Sequence, residues 1–428
     1  MRKMKDSGVA WVGLMPDDWR VQRGKFILKL LNRPVKDTDD VITCFRDGEV
    51  TLRKNRRTDG FTVSVKEIGY QGIEPGDLVI HGMDGFAGSI GVSDSRGKSS
   101  PVLVVCDTKE NKRYIMHYLR SMAYNDVFTA LATGIRVRSC DLRWNKLAEL
   151  SYILPCIEEQ EKIVSIIEKY SEKIDALIAN VQEQIEKLKA YKQSLITEVV
   201  TKGLDPNVPM MDSGVEWIGE IPVSWGIAKL QYCAKIRSGI TLGKKYPDGA
   251  ELIERPYLRV ANVQNGGVVL DDLKTIEVSA EEAAQYRLSA GEVLMTEGGD
   301  RDKLGRGCVW LGQVEPCLHQ NHIFALRTNK LLNPYFLSYV TASKIGRVYF
   351  DITAIKTTNL ACTNSSKVLA FKLPLPSAGE QQQMVDYLDR QVDKIDKLIS
   401  AKQSKIEKLE QYKRSLIYEY VTGKKEVS

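Results

Sequence analysis

The sequence of 428 residues lacks the segments that mark membrane, secreted and nucleotide-hydrolysing proteins. It has no run of about 18 apolar residues that could cross a membrane, and its N-terminal segment, MRKMKDSGVAWVG, lacks the apolar core of a secretion signal. Its eight cysteines occur singly, without a Cys-x-x-Cys pair, which argues against a disulfide framework. No Gly-x-x-x-x-Gly-Lys-Ser/Thr motif is present, so nucleotide hydrolysis is unsupported. We therefore expect a cytoplasmic protein that does not enter a membrane.

Composition and charge indicate a globular protein with more than one domain. The chain has 43% apolar and 27% charged residues, and its length allows about two to four domains. The net charge is +6, but residues 159–201 and 380–422 together carry 16 acidic and 14 basic residues, which leaves +8 on the rest of the chain. This positive excess allows a nucleic-acid partner without requiring one.

The chain contains a long internal repeat. Residues 159–201 match residues 380–422 at 21 of 43 positions, with a constant offset of 221 and no gap. The segment DSGVAWVG at 6–13 returns as DSGVEWIG at 212–219, so the repeat covers nearly the whole chain. Repetition on this scale predicts a duplicated architecture in the order globule, helix, globule, helix.

Both copies of the matched segment are predicted to be long helices, since apolar residues recur at steps of four and three and Gly203 and Gly423 follow. About 43 residues at ~1.5 Å rise correspond to a rod of roughly 65 Å. So narrow an apolar stripe needs a partner helix, and the other copy is the expected one. The predicted seam consists of Ile167, Tyr170, Ile174, Leu177, Val181, Ile185, Leu188, Tyr191 and Leu195 in the first copy and Leu388, Val392, Ile395, Ile399, Ile406, Leu409, Tyr412 and Leu416 in the second.

The two globules are predicted to be rich in short strands separated by Gly, Pro and Asp turn signals. The predicted domains are a first globule at 1–155, a helix at 156–203, a second globule at 204–376 that begins with a linker at 204–211, and a helix at 377–428. The predicted strands are 41–45, 49–52, 61–65, 77–80 and 102–106 in the first globule and 256–263, 268–270, 292–296, 307–311 and 322–326 in the second, with one short helix at 111–122 and another at 333–343.

Basic and amide side chains cluster in loops of both globules, and these residue types contact phosphates and base edges. One such cluster alone is more often solvated surface, whereas clusters in both copies of a scaffold favour DNA. The loop RKNRR at 53–57 has no counterpart in the second half, which predicts two sites that do related work on different targets. The candidate DNA-contacting residues are Arg53, Lys54, Asn55, Arg56, Arg57, Arg136, Arg138, Arg237, Ser238, Thr241, Lys244, Lys245, Arg301, Lys303, Arg306, Gln320, Asn321, Lys356, Thr357 and Asn359.

Catalytic and metal-binding alternatives are weaker. The Asn-Pro-Tyr triplet at 333–335 is similar to the Asn-Pro-Pro-Tyr motif of adenine methyltransferases, but one proline and an upstream glycine-rich loop are missing, so a helix start is favoured. A zinc site could be formed by Cys317, His319 and His322. However, side chains alternate along a strand, so these three side chains would not all lie on the same face. We therefore expect neither a catalytic residue nor a metal on this chain.

Several contiguous segments together carry a likeness to a known family. They are DSGVEWIGEIPVSW at 212–225, the Leu-Pro entries with Glu-Gln at 154–160 and 375–381, YKQSLITEVVTKGLDP at 191–206, RSGITLG at 237–243, PYLRVANVQNG at 256–266 and GEVLMTEGG at 291–299. Taken together, these segments resemble the specificity (S) subunit of type I restriction-modification systems. The first globule departs from the commoner pattern of that family.

The resemblance implies an α+β fold with two β-rich target-recognition domains, separated by two long antiparallel conserved helices and related by an internal pseudo-twofold repeat. Each domain would read one half of a bipartite, asymmetric site in double-stranded DNA. The helix pair would set the spacer and dock two modification (methyltransferase) subunits, and restriction (motor-nuclease) subunits would join the assembly. S-adenosylmethionine and ATP would be bound by those partners, so no cofactor is expected here.

Two other interpretations stay open at this point. The chain could be a structural scaffold whose coiled coil joins two copies of a protein-binding domain, or a stand-alone nuclease or methyltransferase. Binding to random duplex DNA separates a scaffold from a DNA reader, and cofactor crosslinking separates an enzyme from an adaptor. The bases recognised, the spacer length and the presence of a restriction subunit are not determined by the sequence.

Overall fold

The computed structural model describes residues 2–56, 67–130, 142–299, 304–305, 307–356 and 361–427. The chain divides into two compact units. The first unit comprises Met1–Gln182 and Gln403–Ser428, and the second unit comprises Glu183–Lys402. Each unit therefore holds one β-rich globule together with a part of each long helix.

The prediction of two long helices is confirmed, since α5 (Ile157–Lys202) has 46 residues and α10 (Ala378–Val421) has 44. The short helices predicted at 111–122 and 333–343 are also present, as α2 (Lys112–Tyr124) and α7 (Pro334–Ala342). Each begins after an asparagine, Asn111 or Asn333, whose side chain accepts hydrogen bonds from the first free backbone N–H groups of the helix. The helices are α1 (Gly24–Ile27), α2 (Lys112–Tyr124), α3 (Val127–Ala130), α4 (Trp144–Glu149), α5 (Ile157–Lys202), α6 (Ala280–Gln285), α7 (Pro334–Ala342), α8 (Lys344–Thr353), α9 (Ser365–Ala370) and α10 (Ala378–Val421).

The first unit is built on an antiparallel sheet of four strands, in the order β4 (Leu28–Leu30), β11 (Leu103–Thr108), β8 (Leu78–His81) and β9 (Ile90–Val92). Ile80 and Val104 of this sheet share a buried core with Tyr114 and Tyr118 of α2. The strands of this unit are β1 (Met4–Asp6), β2 (Leu14–Pro16), β3 (Arg20–Arg23), β4 (Leu28–Leu30), β5 (Ile42–Cys44), β6 (Val50–Leu52), β7 (Gln71–Ile73), β8 (Leu78–His81), β9 (Ile90–Val92), β10 (Gly97–Ser99), β11 (Leu103–Thr108) and β12 (Ser151–Leu154).

The second unit has the same sheet topology, in the order β16 (Ala234–Ser238), β25 (Ile323–Thr328), β21 (Val293–Thr296) and β23 (Gly307–Val309). In both sheets the last strand along the chain lies between the first and the second. Val293 and Phe324 of this sheet pack with Phe336 and Val340 of α7. The strands are β13 (Met210–Asp212), β14 (Glu220–Pro222), β15 (Gly226–Lys229), β16 (Ala234–Ser238), β17 (Ile253–Leu258), β18 (Val263–Gln264), β19 (Gly267–Val268), β20 (Lys274–Val278), β21 (Val293–Thr296), β22 (Gly298–Gly299), β23 (Gly307–Val309), β24 (Leu318–His319), β25 (Ile323–Thr328), β26 (Ile355–Lys356), β27 (Ala361–Cys362) and β28 (Lys372–Leu375).

The predicted α+β class is confirmed, and most predicted strands are present. The strand predicted at 256–263 is wrong in its second half, because the side chain of Asn262 accepts a hydrogen bond of 2.8 Å from the N–H of Arg259 and closes a 3-10 turn there. The strand predicted at 61–65 lies outside the described residues. The end of the predicted linker is also not irregular, since Met210 and Met211 belong to β13, which pairs with β14.

The two long helices pair antiparallel within each unit. In the second unit the ammonium of Lys192 on α5 lies 2.7 Å from the carboxylate of Asp396 on α10, and Lys402 donates to Gln184 at 2.5 Å. The chain number thus rises on one helix as it falls on the other. In the first unit Lys413 lies 2.7 Å from Asp175. At the offset of 221, Lys413 corresponds to Lys192 and Asp396 corresponds to Asp175, so the same ion pair occurs in both units.

The predicted helix seam is buried along one line and open along a second. Tyr170, Leu177, Tyr191 and Tyr412 are 42% to 59% exposed, so their prediction as buried seam residues is wrong. Positions 170, 177 and 191 are separated by multiples of seven and form one line along α5, which a single partner helix leaves uncovered. The remaining seam residues, buried or half-buried, are Ile167, Ile174, Val181, Ile185, Leu188 and Leu195 on α5 and Leu388, Val392, Ile395, Ile399, Ile406, Leu409 and Leu416 on α10.

None of the described helices combines the length and the apolar content needed to span a membrane.

Candidate nucleic-acid interface

Each globule is fixed to the start of its long helix by the same buried hydrogen bonds. The side-chain oxygen of Gln160 accepts from the N–H of Asn111 at 2.9 Å, and that of Gln381 accepts from Asn333 at 2.8 Å. Both glutamines are fully buried. The Glu-Gln pair of the repeat therefore positions α2 and α7, and with them the two sheets, in the same way.

Loops from three parts of the second unit meet at one end of its sheet. The N–H of Ile240, after β16, donates to the carbonyl of His319 at 2.8 Å, and the N–H of Asn321 donates back to Ile240 at 2.9 Å. The N–H of Glu297, directly after β21, donates to the carbonyl of His322 at 2.9 Å. The predicted contacts that lie in these adjoining loops are Ser238, Thr241, Lys244 and Lys245, which are exposed, and Gln320 and Asn321, which are half-buried.

A hairpin from near the end of the globule joins the same end of the sheet. The N–H of Thr363 donates to the carbonyl of Glu297 at 2.8 Å, and β22 pairs with β27. The backbone of Lys356 in β26 pairs with Ala361 in β27. Glu297 and Thr363, which are 66 positions apart in sequence, are thereby brought together.

Lys244 takes part in a polar cluster on the loop after β16. Its ammonium forms an ion pair with Glu282 and lies 5.4 Å from the centre of the Tyr246 ring. The Tyr246 hydroxyl donates to the same carboxylate at 2.7 Å. Hydrogen bonds from Lys244 and then Tyr246 lower the pKa of Glu282 to about 2. The loop is thus tied to α6 by a carboxylate that stays ionised.

Arg237 has a clear structural role. Its guanidinium contacts the carboxylate of Glu292 at 2.7 and 2.9 Å, and it also donates to the carbonyl oxygens of Gln285 and Arg287 at 2.9 and 3.1 Å. Glu292 is 1% exposed and accepts a further bond of 3.1 Å from Arg327. These bonds hold β16 against the loop that follows α6, so a contact between Arg237 and DNA stays a prediction.

Glu297 and His322 form a polar pair that sequence reasoning did not identify as a site. Nδ1 of His322 lies 2.6 Å from Oε2 of Glu297, and the imidazole is more than half exposed. The pair stands at the end of β21 and joins it to the loop before β25 that carries Gln320. The only sequence signal was the amide-rich LHQNH segment at 318–322, because the partner carboxylate lies 25 residues upstream.

The predicted basic turn of the first unit is a single 3-10 turn, Arg53–Asn55, directly after β6. Lys54 forms an ion pair with Asp40. Arg56 contacts Asp47 at 2.5 Å, and its guanidinium carbon lies 4.3 Å from the centre of the Phe45 ring. Arg53 donates to Thr43 at 3.2 Å and Asn55 donates to Thr51 at 2.9 Å.

The same turn borders a cleft of about 780 Å³. His81, at the end of β8, lines this cleft, and its Nδ1 accepts hydrogen bonds from the N–H groups of Asp84 and Met83 at 2.9 and 3.3 Å. Burial lowers the pKa of His81, so the ring is neutral at pH 7. Because Nδ1 accepts, the proton resides on Nε2, which is a fixed donor. The cleft is also lined by Thr43, Phe45, Arg46, Asp47, Arg53, Arg56, Ser89 and Ser100.

Several predicted contacts lie outside the described residues. They are Arg57, Arg136, Arg138, Arg301, Lys303, Arg306, Thr357 and Asn359.

Beside the repeated ion pair, the long helices expose a leucine and a tyrosine at matched positions in each unit. In the first unit Leu177 and Tyr412 are exposed within two residues of Asp175 and Lys413. In the second unit the matching residues are Leu398 and Tyr191, beside the Lys192 ion pair. We call these two pairs the Leu-Tyr patches. Leu177 corresponds to Leu398 at the offset of 221, and Tyr191 corresponds to Tyr412. Each patch therefore contains one leucine and one tyrosine from these two equivalent positions.

Comparison with known proteins points to one family. Residues 222–408 match the type I restriction modification DNA specificity domain. The putative type I restriction enzyme MjaX specificity subunit of Methanocaldococcus jannaschii is 27% identical over 208 residues, or 48% of this chain and 47% of that protein. The MjaVIII specificity subunit of the same organism is 25% identical over 425 residues, or 96% of this chain and 93% of that protein.

The fold is shared with a solved structure that concerns complex assembly and conformational transition of the type I R-M system. The TM-score is 0.69 with 16% identity, covering 95% of this chain and 98% of that one. The chain thus spans about half the length of the first curated relative and nearly all of the second. The chain is thus similar to type I restriction enzyme specificity subunits in the domain at 222–408 and along nearly the whole length of one relative, and it shares the fold of the solved structure.

Proposed function

We propose that this chain gives a type I restriction-modification complex its DNA sequence specificity, with each unit reading one half of a bipartite site. The observation that carries the proposal is one sheet topology with two different sets of polar groups at the same strand ends. His81 is the last residue of β8, beside a cleft bordered by arginines, whereas Glu297 follows β21 beside His322. A scaffold that is repeated with altered loops suits two unlike half-sites.

The groups at the two strand ends favour different bases. Arginine donates to the O6 and N7 atoms of guanine, and a neutral histidine N–H donates to a single acceptor. A carboxylate accepts from the amino group of cytosine, and side-chain amides pair with adenine. Arg56 and His81 would then recognise acceptors in one half-site, and Glu297 with Gln320 would recognise amino groups in the other. The exposed Lys245 would hold phosphate.

The test is methylation-aware sequencing of a host that carries the chain together with its modification subunit. Glu297→Gln keeps the size of the side chain and removes its charge, so the recognised bases should change in one half-site only. Glu216→Gln makes the same change at an exposed position away from these strand ends and should leave both halves as in the wild type. Changes in both halves, or in neither, would contradict the assignment of Glu297.

The proposed assembly includes two modification subunits that dock on the helix pair. The two Leu-Tyr patches support this part, because apolar side chains at matched positions in both units offer the same contact twice. The double substitution Leu177→Ser with Tyr412→Ser should reduce the bound modification subunits from two to one in native mass spectrometry. Ile352→Ser, on an exposed residue of α8, is the matched control. An unchanged count in the patch variant would contradict docking there.

In this assembly the chain is non-catalytic. S-adenosylmethionine and ATP would bind to the modification and restriction subunits, and the complex would act in the cytoplasm, where its DNA substrate lies. Equilibrium dialysis of S-adenosylmethionine against the isolated chain and against the assembled complex tests this. Retention by the isolated chain would contradict it.

A further inference from the structure

The repeat allows the two units to be compared position by position beside the long helices. Asn111 and Asn333 cap α2 and α7 and bind the equivalent glutamines, so Arg113 and Tyr335 occupy the same position, two residues after the cap. At the offset of 221, Glu168 on α5 corresponds to Asp389 on α10.

In the first unit this position holds an internal ion pair. The Nη1 atom of Arg113 lies 2.8 Å from Oε1 of Glu168. The arginine reaches from α2 across to the long helix, where its planar guanidinium meets the carboxylate. The first unit therefore supplies a cation to this carboxylate from its own chain.

In the second unit the corresponding carboxylate, Asp389, has no ion-pair partner in the described part of the chain, and Lys192, which lines the same cavity, is paired with Asp396. Tyr335 stands where the arginine would be and is 41% exposed. The carboxylate of Asp389 accepts a hydrogen bond of 2.5 Å from the hydroxyl of Tyr339, but it forms no ion pair among the described residues. The neighbouring carboxylate of Asp396 is already paired with Lys192 at 2.7 Å. One negative charge is thus left beside two tyrosine rings.

These residues line a cavity of about 260 Å³, which we call the tyrosine niche. Its walls include Tyr335, Tyr339 and Asp389, with Leu311 and Val392 as apolar neighbours. Small-molecule pockets usually measure roughly 300–1,000 Å³, so the tyrosine niche suits one side chain better than a whole ligand. Its negative charge disfavours a DNA phosphate.

We propose that the tyrosine niche receives an arginine side chain from the modification subunit. Arginine fits because its guanidinium can stack on an aromatic ring while it binds a carboxylate in its plane. The first unit fills the equivalent position with its own Arg113, which identifies the chemistry that the second unit lacks. The inference rests on the proposed docking of modification subunits, and it makes the two docking sites unequal.

Two substitutions test the tyrosine niche in the full-length chain assembled with its modification subunit. Asp389→Asn removes the charge and keeps the size of the side chain. Tyr335→Arg places an arginine at the position that Arg113 holds in the first unit, so the niche is filled from within. Asp393→Asn is the matched control, because it makes the same change on the same helix at an exposed residue that pairs with Lys397.

The readout is the dissociation constant of the modification subunit, with thermal unfolding as a check that each variant is folded. Asp389→Asn and Tyr335→Arg should each weaken the binding of one modification subunit by about tenfold, while Asp393→Asn should bind as the wild type does. Wild-type affinity in both niche variants would overturn the inference and leave the proposed function intact. A wild-type chain that binds no modification subunit would contradict the proposed function itself.

Discussion

The indole N–H of Trp225 donates a hydrogen bond of 3.2 Å to the carboxylate of Glu380, at the start of α10. The same bond joins Trp19 to Glu159 at 3.0 Å, at the start of α5. Both tryptophans close the repeated segment that begins with Asp-Ser-Gly, and both glutamates lie in the first helical turn, where a negative charge is favoured by the helix dipole. The bond therefore fastens this segment to the long helix in each unit.

We predict that Trp225→Phe lowers the free energy of unfolding by about 2 kcal/mol, since it removes a hydrogen bond to a charged group as well as part of a buried ring. Trp217→Phe is the control, because the indole N–H of Trp217 is buried without a hydrogen-bond partner among the described residues. It should cost about 1 kcal/mol or less, from packing alone. Urea unfolding measures both losses, and equal losses would show that the bond to Glu380 contributes little.

A second prediction concerns pH. His117 on α2 is buried, and both of its ring nitrogens lack a hydrogen-bond partner in the described part of the chain. Burial, followed by the positive charges of Arg120, Lys413 and Arg113, lowers its pKa from 6.5 to about 3. The unfolded chain therefore binds a proton between pH 6.5 and 3 that the folded chain does not. Stability should fall as the pH drops through this window.

The expected loss from this one residue between pH 7 and pH 5 is about 2 kcal/mol. His117→Phe removes the titrating group. Between pH 7 and pH 5 the unfolding free energy of this variant should therefore fall by about 2 kcal/mol less than that of the wild type. Met116→Leu, a conservative change on the same helix, should keep the wild-type pH dependence. Parallel pH profiles for His117→Phe and the wild type would rule out a buried neutral histidine.

A third prediction concerns base reading in the first unit. Arg56→Ala should weaken binding of the assembled complex to one half-site by about 1 to 3 kcal/mol, if the guanidinium that Asp47 and Phe45 position holds a base. Competition between duplexes that differ in one half-site measures the effect. Lys54→Ala serves as the comparison, because a lysine contact to phosphate weakens all sequences alike. An equal loss on all sequences for Arg56→Ala would assign that residue to phosphate as well.

A fourth prediction tests the helices as a spacer. Four residues added to α5 lengthen it by one turn, about 6 Å, which corresponds to about two base pairs at ~3.4 Å each. The unread spacer of the methylated site should lengthen while both half-sites stay the same. Replacing four exposed residues of α5 without changing its length should leave the spacer as in the wild type. A constant spacer after the insertion would contradict the role of the helix as a ruler.

The sequence by itself determined the duplication, the two long helices and most of the strands. These features depend on patterns that can be read along the chain, namely residue identity at a constant offset, the spacing of apolar residues and the positions of turn residues. Such patterns can be recognised without knowing which residues are in contact. The family likeness follows for the same reason, because it rests on contiguous segments such as DSGVEWIGEIPVSW.

Only the tertiary structure decided which side chains are engaged and which are open. Arg237 and Lys245 look alike in sequence, yet a buried Glu292 holds the first and the second is exposed. The apolar periodicity did not predict that Leu177 lies on the uncovered side of α5. Periodicity locates the apolar face of a helix, but it does not determine which edge of that face contacts the partner helix. Glu297 meets its histidine because two strands of one sheet bring distant residues together, and such pairing leaves no periodic trace in the chain.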